Sequence, residues 1–128
     1  RVFDWNRVGL DGKPRELHVA SSLASIDFQD FEPQLIRSAY SRNPTMSVRY
    51  VVDDPLFRVD GYKVKRGLRW YLRSESVQIL GLLRGQLDLQ YGECALSLKP
   101  GGFCMLPACL DRVTVVAPVP SEYLHVQT

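Results

Sequence analysis

The sequence predicts a mainly β protein, a barrel or sandwich of short strands with one short helix near the amino terminus. Two observations lead to this prediction. Beyond Pro55 the chain repeats short apolar runs that are separated by turn signals rich in glycine and proline, a pattern typical of an antiparallel barrel or sandwich. Between residues 16 and 28, by contrast, apolar residues recur at three- and four-residue spacing, as along one face of a helix.

The amino-terminal part predicts a strand, a turn, a helix and a connecting segment, in that order. Residues 1–7 alternate two aromatic side chains with polar ones, which suits a strand with one aromatic face. Residues 9–14 break that alternation, and Pro14 is suited to open the helix that follows. Prolines divide residues 29–55, where residues 47–52 have the β-branched and aromatic content of a strand.

The rest of the chain predicts a series of short strands. Between residues 62 and 73 the even positions are mostly apolar, while the odd positions carry Lys63, Lys65, Arg69 and Arg73, so we expect a long strand or a strand pair with one wet face. Residues 77–83 are apolar at both parities, which indicates a strand buried on both sides or in the middle of a sandwich. Further strands are predicted at residues 86–91, 95–98, 103–106, 112–116 and 123–127.

The bulk composition argues against several classes of protein. The chain has 128 residues, enough for one domain with a substantial core. Its formal charge of +2, from 16 basic and 14 acidic side chains, does not favour nucleic acid or an anionic membrane as partner. No apolar run approaches the roughly 20 residues of a membrane span. Three cysteines without a pairing pattern indicate a reducing compartment, so we expect a soluble, cytoplasmic protein.

Two sets of motifs resemble one known family. Residues 1–28 read RVFDWNRVGLDGKPRELHVASSLASIDF, and residues 85–89 (GQLDL), 98–102 (LKPGG) and 104–108 (CMLPA) form a second set. The first segment resembles type I mannose-6-phosphate isomerases, in particular the short bacterial form, in which a strand runs into a DGKPRELH loop and then a helix. The second set resembles a run near the carboxyl end of the same family.

The resemblance implies a zinc-dependent enzyme built from cupin (jelly-roll) β-barrels. In that family the metal ligands all precede the arginine that matches Arg1, so zinc is expected in the intact enzyme and none is expected to be bound by this chain. Residues 1–54 would then be the end of the catalytic cupin region with the helix and a connecting segment. Residues 55–128 would be a carboxyl-terminal cupin-like barrel without metal, because its histidine positions are occupied by residues 70–72 and Arg112.

The resemblance also singles out basic residues near the amino terminus. Arg1 matches a family arginine that contacts the sugar phosphate and assists catalysis, a role suited to a charge that does not titrate away. Alternatively, Arg1 is a frayed terminal residue in this chain. The substrate-binding candidates, which extend the basic surface toward the phosphate, are Arg7, Lys13 and Arg15. Equally, these three cap and solvate a loop, with Asp4 and Asp11 neutralising two of them.

Other chemically capable residues have simpler interpretations. His18 is expected to satisfy a backbone group, and His125 is expected to face solvent, because it alternates with Leu124 and Val126. The cysteines, Cys94, Cys104 and Cys109, lack metal-ligand spacing and are expected to be small buried side chains. The basic residues of the 62–73 segment are expected to form a solvated strand face.

Two functional hypotheses follow, together with a weaker third. The first is the carboxyl-terminal part of a mannose-6-phosphate isomerase-like enzyme, with a phosphorylated sugar as substrate and the upstream catalytic segment of the same protein as partner; this chain alone would be inactive. The second is a non-catalytic sugar-binding or regulatory cupin module. The third is a structural or assembly domain, which an exposed apolar patch without a polar pocket would favour.

Overall fold

The computed structural model describes residues 1–30, 32, 35–73 and 75–128. The chain divides into two compact units, Arg1–Leu35 and Ile36–Thr128, which are called the first and the second unit below. The strand predicted at residues 47–52 lies in the second unit, whereas the functional division proposed between residues 54 and 55 stays a prediction. No helix in the described part of the chain has the length and apolar character to cross a membrane.

The first unit holds a turn, a one-bridge loop and the short helix α1, Val19–Ala24. The helix predicted near the amino terminus is confirmed, although it covers six residues rather than the whole 16–28 segment. Its start has no side-chain cap, and serines and a valine are weak helix formers, which explains the shortness. The apolar face that the spacing predicts is exposed: Leu17, Leu23 and Phe28 keep about half or more of their surface accessible.

The strand predicted for residues 1–7 is wrong. The Arg7 amide donates to the carbonyl of Asp4 at 2.9 Å, which closes a turn in the middle of the segment. Trp5 and Asn6 have φ angles of +46° and +54°, in the left-handed region where the chain is no longer extended. Pairing resumes only at a single bridge between Val8 and Pro14. The alternation of aromatic and polar side chains therefore came from a turn rather than a strand.

The second unit is a sandwich of two antiparallel sheets, which confirms the predicted fold class. Its strands are β1 Met46–Asp53, β2 Arg58–Val64, β3 Arg69–Leu72, β4 Gln78–Arg84, β5 Leu87–Tyr91, β6 Cys94–Leu98, β7 Phe103–Leu106, β8 Val113–Val116 and β9 Ser121–Gln127. The order is β1-β2-β9-β4-β7 in the five-stranded sheet and β3-β8-β5-β6 in the four-stranded sheet. All the predicted strands beyond residue 46 are present, and the 62–73 segment contains the end of β2 and all of β3, which lie in different sheets and do not pair with each other.

The core lies between the two sheets. Leu80 and Leu82 on β4 meet Leu87 on β5 and Val115 on β8, all at most 1% exposed. Burying a side chain of this size contributes about 1.5–3 kcal/mol. Tyr123 on β9 is also buried, and its ring lies between those of Tyr62 and Trp70, at centroid distances of 5.0 and 5.8 Å. The remaining buried apolar residues of this core are Val64, Leu89, Leu98, Leu106, Val113 and Ala117.

The outer faces of the two sheets differ in character. The four-stranded sheet turns polar side chains such as Asp88, Gln90 and Thr114 outward, as expected for a sheet with one wet face. The five-stranded sheet instead carries Phe103 and Met105 on its outer face, 73% and 64% exposed. Hydrophobic alternation therefore identifies the inner face of one sheet and not of the other.

Two expectations about burial are wrong, each for its own reason. His125 is buried, 3% exposed, while Leu124 and Val126 are only half-buried, because β9 belongs to the sheet with apolar residues on both faces. The cysteines are not buried side chains. Cys94 and Cys109 are exposed and Cys104 is half-buried, because they lie on edge strands and in a loop where little packs over them.

Candidate functional site

Asp4 is the centre of the cationic cluster in the first unit. The Arg15 guanidinium donates to both carboxylate oxygens of Asp4, from Nε at 2.7 Å and also from Nη2. The Arg1 Nε lies 3.7 Å from the same carboxylate. The Asp4 side chain is only 12% exposed, and the hydrogen bond from Arg15 holds the pKa of this carboxyl below its ordinary value. Asp4 therefore brings two of the predicted site arginines to one point.

Arg1 is held by further contacts within the first unit. Its Nη1 donates to the carbonyl of Glu16 at 3.1 Å, and its own carbonyl accepts a hydrogen bond from the amide of His18 at 2.7 Å. These bonds join the first residue to the start of α1, so the Arg1 guanidinium has a defined direction.

Arg7 and Lys13 are placed differently from the other two cations. The guanidinium of Arg7 makes no ion pair or hydrogen bond with any of the residues that the structure describes. The Lys13 amide donates to the Asp11 carboxylate at 3.2 Å, and the Lys13 carbonyl accepts from the Gly9 amide at 2.8 Å. The backbone of Lys13 thus builds the loop, whereas the charge of Arg7 remains available.

A pocket of about 170 Å³ lies against this cluster, lined by residues 3–7, 14, 15 and 17. Its lining residues include two arginines, Arg7 and Arg15, and one acidic residue, Asp4, so their formal charges sum to +1. Lys13 is not part of that lining. The pocket thus combines a net cation with an aromatic lining.

Trp5 supplies that aromatic lining from a strained turn. Trp5 is 73% exposed, and its ring meets the Phe3 ring edge-on at a centroid distance of 5.3 Å. A left-handed conformation costs a residue with a side chain about 1–2 kcal/mol, and here both Trp5 and Asn6 adopt it. The turn thus holds a large aromatic surface open to solvent beside the cations.

A second set of polar residues, centred on the buried Asp60 and His125, lies in the second unit. Asp60, 3% exposed, accepts from the Arg58 guanidinium at 2.9 Å, and that guanidinium lies over the Tyr50 ring at 4.7 Å. The buried His125 hydrogen-bonds through Nε2 to the amide oxygen of Gln78 at 2.9 Å. Burial lowers the pKa of His125 and so favours the neutral ring. The buried Asp60 and His125 each have a side-chain partner in the protein, and neither needs a ligand to be satisfied.

The described residues do not fit a zinc ion. No set of three or more histidine, cysteine, aspartate or glutamate side chains converges in the described part of the chain. His18 precedes an exposed helix, and His125 is engaged with Gln78. We therefore derive no chemical step through a metal held by these residues.

Sequence reasoning missed the two residues that shape the pocket. The sequence indicates Asp4 only as a neutralising neighbour, because its contact with Arg15 spans 11 residues and depends on the turn between them. The alternation of residues 1–7 predicts Trp5 on a strand face. The signal for both was the Asp-Trp-Asn sequence, in which Asn accepts a left-handed backbone readily.

Sequence comparison shows which known protein this chain resembles. No protein-family model matches the chain. The sequence is 27% identical over 115 residues to YvyI of Bacillus subtilis (strain 168), named as a candidate mannose-6-phosphate isomerase. The match covers 90% of this chain and 36% of YvyI, so the chain spans about a third of the length of that curated relative.

Solved structures with the same fold are numerous. The crystal structure of the mannose 6-phosphate isomerase from Bacillus subtilis matches all of this chain and 40% of its own, with a TM-score of 0.65 and 22% identity. An RmlC-like cupin from Shewanella frigidimarina matches 71% of this chain and 83% of its own, with a TM-score of 0.63 and 9% identity. KdgF from Halomonas sp. matches 69% of this chain and 84% of its own, with a TM-score of 0.61 and 20% identity.

These matches agree with the motifs at residues 1–28 and 85–108. At such identities the solved structures establish the fold, and the curated relative establishes the homology. The resemblance inferred from the sequence is thus confirmed: the chain has a cupin fold and is homologous to part of a mannose-6-phosphate isomerase-like protein.

Proposed function

We propose that this chain is the carboxyl-terminal part of a mannose-6-phosphate isomerase-like enzyme, which interconverts mannose-6-phosphate and fructose-6-phosphate in the cytoplasm. The homology to YvyI over 90% of the chain is the observation that carries the proposal. In the intact protein a catalytic zinc would be held by residues upstream of this chain, and it would supply Lewis-acid chemistry to the sugar substrate. The 1–54 segment then closes the catalytic region, and residues 55–128 form a cupin-like barrel without metal.

Arg1 acts on the substrate in this proposal. Aldose-ketose isomerisation passes through an anionic intermediate, and a fixed guanidinium near the oxygen that gains charge stabilises it. The hydrogen bond from Arg1 to the Glu16 carbonyl and the neighbouring Asp4 carboxylate support this role, because they orient the guanidinium before substrate arrives. Arg7, Lys13 and Arg15 contribute positive charge for the phosphate.

The exposed apolar residues of the first unit support a partner segment. None of residues 1–30 is buried. Trp5, Leu10 and Phe28 each expose more than two thirds of their surface. A folded unit ordinarily gains stability by removing such side chains from water, so a catalytic segment packed over them would supply the missing burial.

An assay of the protein with and without its upstream segment tests the proposal. We expect fructose-6-phosphate conversion by the longer protein and none by residues 1–128 alone. Replacing Arg1 with glutamine in the longer protein should lower kcat about 100-fold or more, as loss of a transition-state donor does. Activity in the 128-residue chain would contradict the placement of the zinc ligands. A longer protein that binds the sugar phosphate without converting it would instead favour the non-catalytic module.

A further inference from the structure

The pocket of residues 3–7, 14, 15 and 17 contains two kinds of surface side by side. Arg7 and Arg15 are among the residues that line it, and so is Trp5, which is 73% exposed. Guanidinium groups match phosphate oxygens in geometry and charge. A flat aromatic face is suited to the C–H groups of a sugar, which are apolar once the hydroxyls point sideways.

We propose that this pocket binds the phosphorylated end of the sugar phosphate, with Trp5 packing on the sugar carbons and Arg7 pairing with the phosphate. The inference rests on the proposed function for its substrate class and adds Trp5, a residue that the family resemblance did not single out. It also separates Arg7 and Arg15, which line the pocket, from Lys13, which does not.

The division of the cations follows from their contacts. Arg15 directs Nε and Nη2 at Asp4, so two of its five N–H donors are committed and its position is fixed. Arg7 has no such partner among the residues described by the structure, although it lies in the same wall. Arg7 is therefore the cation that gains most from an incoming phosphate, and Arg15 completes the wall.

The size of the pocket decides which part of the ligand it takes. Its volume is about 170 Å³, whereas pockets that enclose a whole drug-sized ligand start at about 300 Å³. The phosphate and its neighbouring carbons fit, and the rest of the sugar stays outside. The end that reacts is then free to be held by other groups.

The Trp5 indole is positioned by its own backbone conformation and by Phe3, separately from the two arginines. Both Trp5 and the following Asn6 are left-handed, and Phe3 supports the indole edge-on. In this position Trp5 keeps 73% of its surface exposed. Removing it should take away contact with the sugar carbons without changing the phosphate contacts of Arg7.

Ligand binding to the 128-residue chain tests the inference by NMR titration with fructose-6-phosphate, fructose and inorganic phosphate. We expect fructose-6-phosphate to shift the indole N–H signal of Trp5 and to bind more tightly than phosphate, whereas fructose has little effect. Trp5→Ala should lower the affinity for fructose-6-phosphate about tenfold, because an apolar contact is lost, and should leave the affinity for phosphate unchanged. Trp5→Phe should restore part of the loss. Arg7→Gln should lower the affinity for both fructose-6-phosphate and inorganic phosphate.

Phe28→Ala is the matched control, because Phe28 is an exposed aromatic of the same unit outside the pocket wall. Equal affinity of wild type and Trp5→Ala for fructose-6-phosphate would overturn the inference and leave the proposed function intact. Phosphate binding as tight as fructose-6-phosphate binding would also overturn it, because the sugar would then add nothing. Absence of any fructose-6-phosphate binding by the wild-type chain, together with no conversion by the longer protein, would contradict both.

Discussion

At the scale of single residues, Asp4 determines how the basic amino-terminal segment is arranged. It lies within reach of Arg1 and accepts two hydrogen bonds from Arg15, so a segment with four basic side chains does not simply repel itself. The ionised carboxylate is favoured here by those hydrogen bonds, as the lowered pKa indicates. One acidic side chain thus turns separate surface charges into a cluster with a direction.

His125 gives the sandwich a defined response to acid. Burial lowers its pKa below the unfolded value of 6.5, the Asp60 carboxylate opposes that shift, and Arg58 adds to it. Between the two pKa values the unfolded chain binds the extra proton and the folded chain does not. The stability from the neutral ring is therefore complete above about pH 6.5 and is lost as the pH falls below it.

Denaturant unfolding across this pH range measures that contribution. We expect the wild-type midpoint to decrease from pH 7 to pH 5, and His125→Gln to show a smaller decrease, because glutamine cannot take up the proton. His18→Gln, at an exposed position before α1, should keep the wild-type pH dependence. An unchanged pH dependence in His125→Gln would mean that other groups cause the acid loss.

At the scale of elements, the tight turn between β4 and β5 fixes how the chain passes from one sheet to the other. Gly85 has a φ of +85° there, and a Cβ at this position would overlap the Pro120 carbonyl oxygen and the Ser121 side chain. The Ser121 hydroxyl hydrogen-bonds to both the amide and the carbonyl of Gln86, which ties the start of β9 to this turn. The turn needs glycine for two reasons, backbone conformation and space.

Two glycine variants separate these reasons. Gly85→Ala should lose about 2–4 kcal/mol of unfolding free energy, because the new Cβ meets both the strain and the overlap. Gly92→Ala should lose only about 1 kcal/mol, since Gly92 has a φ of +56° but open space around it. The comparison is made by urea unfolding. Equal losses in the two variants would show that the neighbours of Gly85 move aside.

At the scale of the whole molecule, the two units differ in what holds them together. The second unit has a continuous core between its sheets, whereas residues 1–30 have no buried side chain. Local opening costs little free energy where few apolar contacts are broken. The candidate pocket thus belongs to the unit with the least burial, and the core belongs to the unit that carries none of the predicted site residues.

Amide hydrogen exchange read by mass spectrometry checks this contrast. Peptides from β4 and β9 should exchange slowest, because these strands lie inside the five-stranded sheet and carry three buried side chains each. Peptides from residues 1–30 should exchange orders of magnitude faster in the isolated chain. If residues 1–30 were protected from exchange as strongly as β9, the inference that the first unit opens more easily than the second would be wrong.

The sequence by itself determined the strands beyond residue 46, the presence of a short helix and the family resemblance. These follow from local chemistry, namely alternation along a strand, turn residues and recognisable motifs. The turn at Trp5, the contact between Asp4 and Arg15 and the burial of His125 were decided only by the tertiary structure. These features depend on which groups distant in sequence come into contact. Where a sheet is apolar on both faces, strand periodicity cannot distinguish the inner face from the outer one.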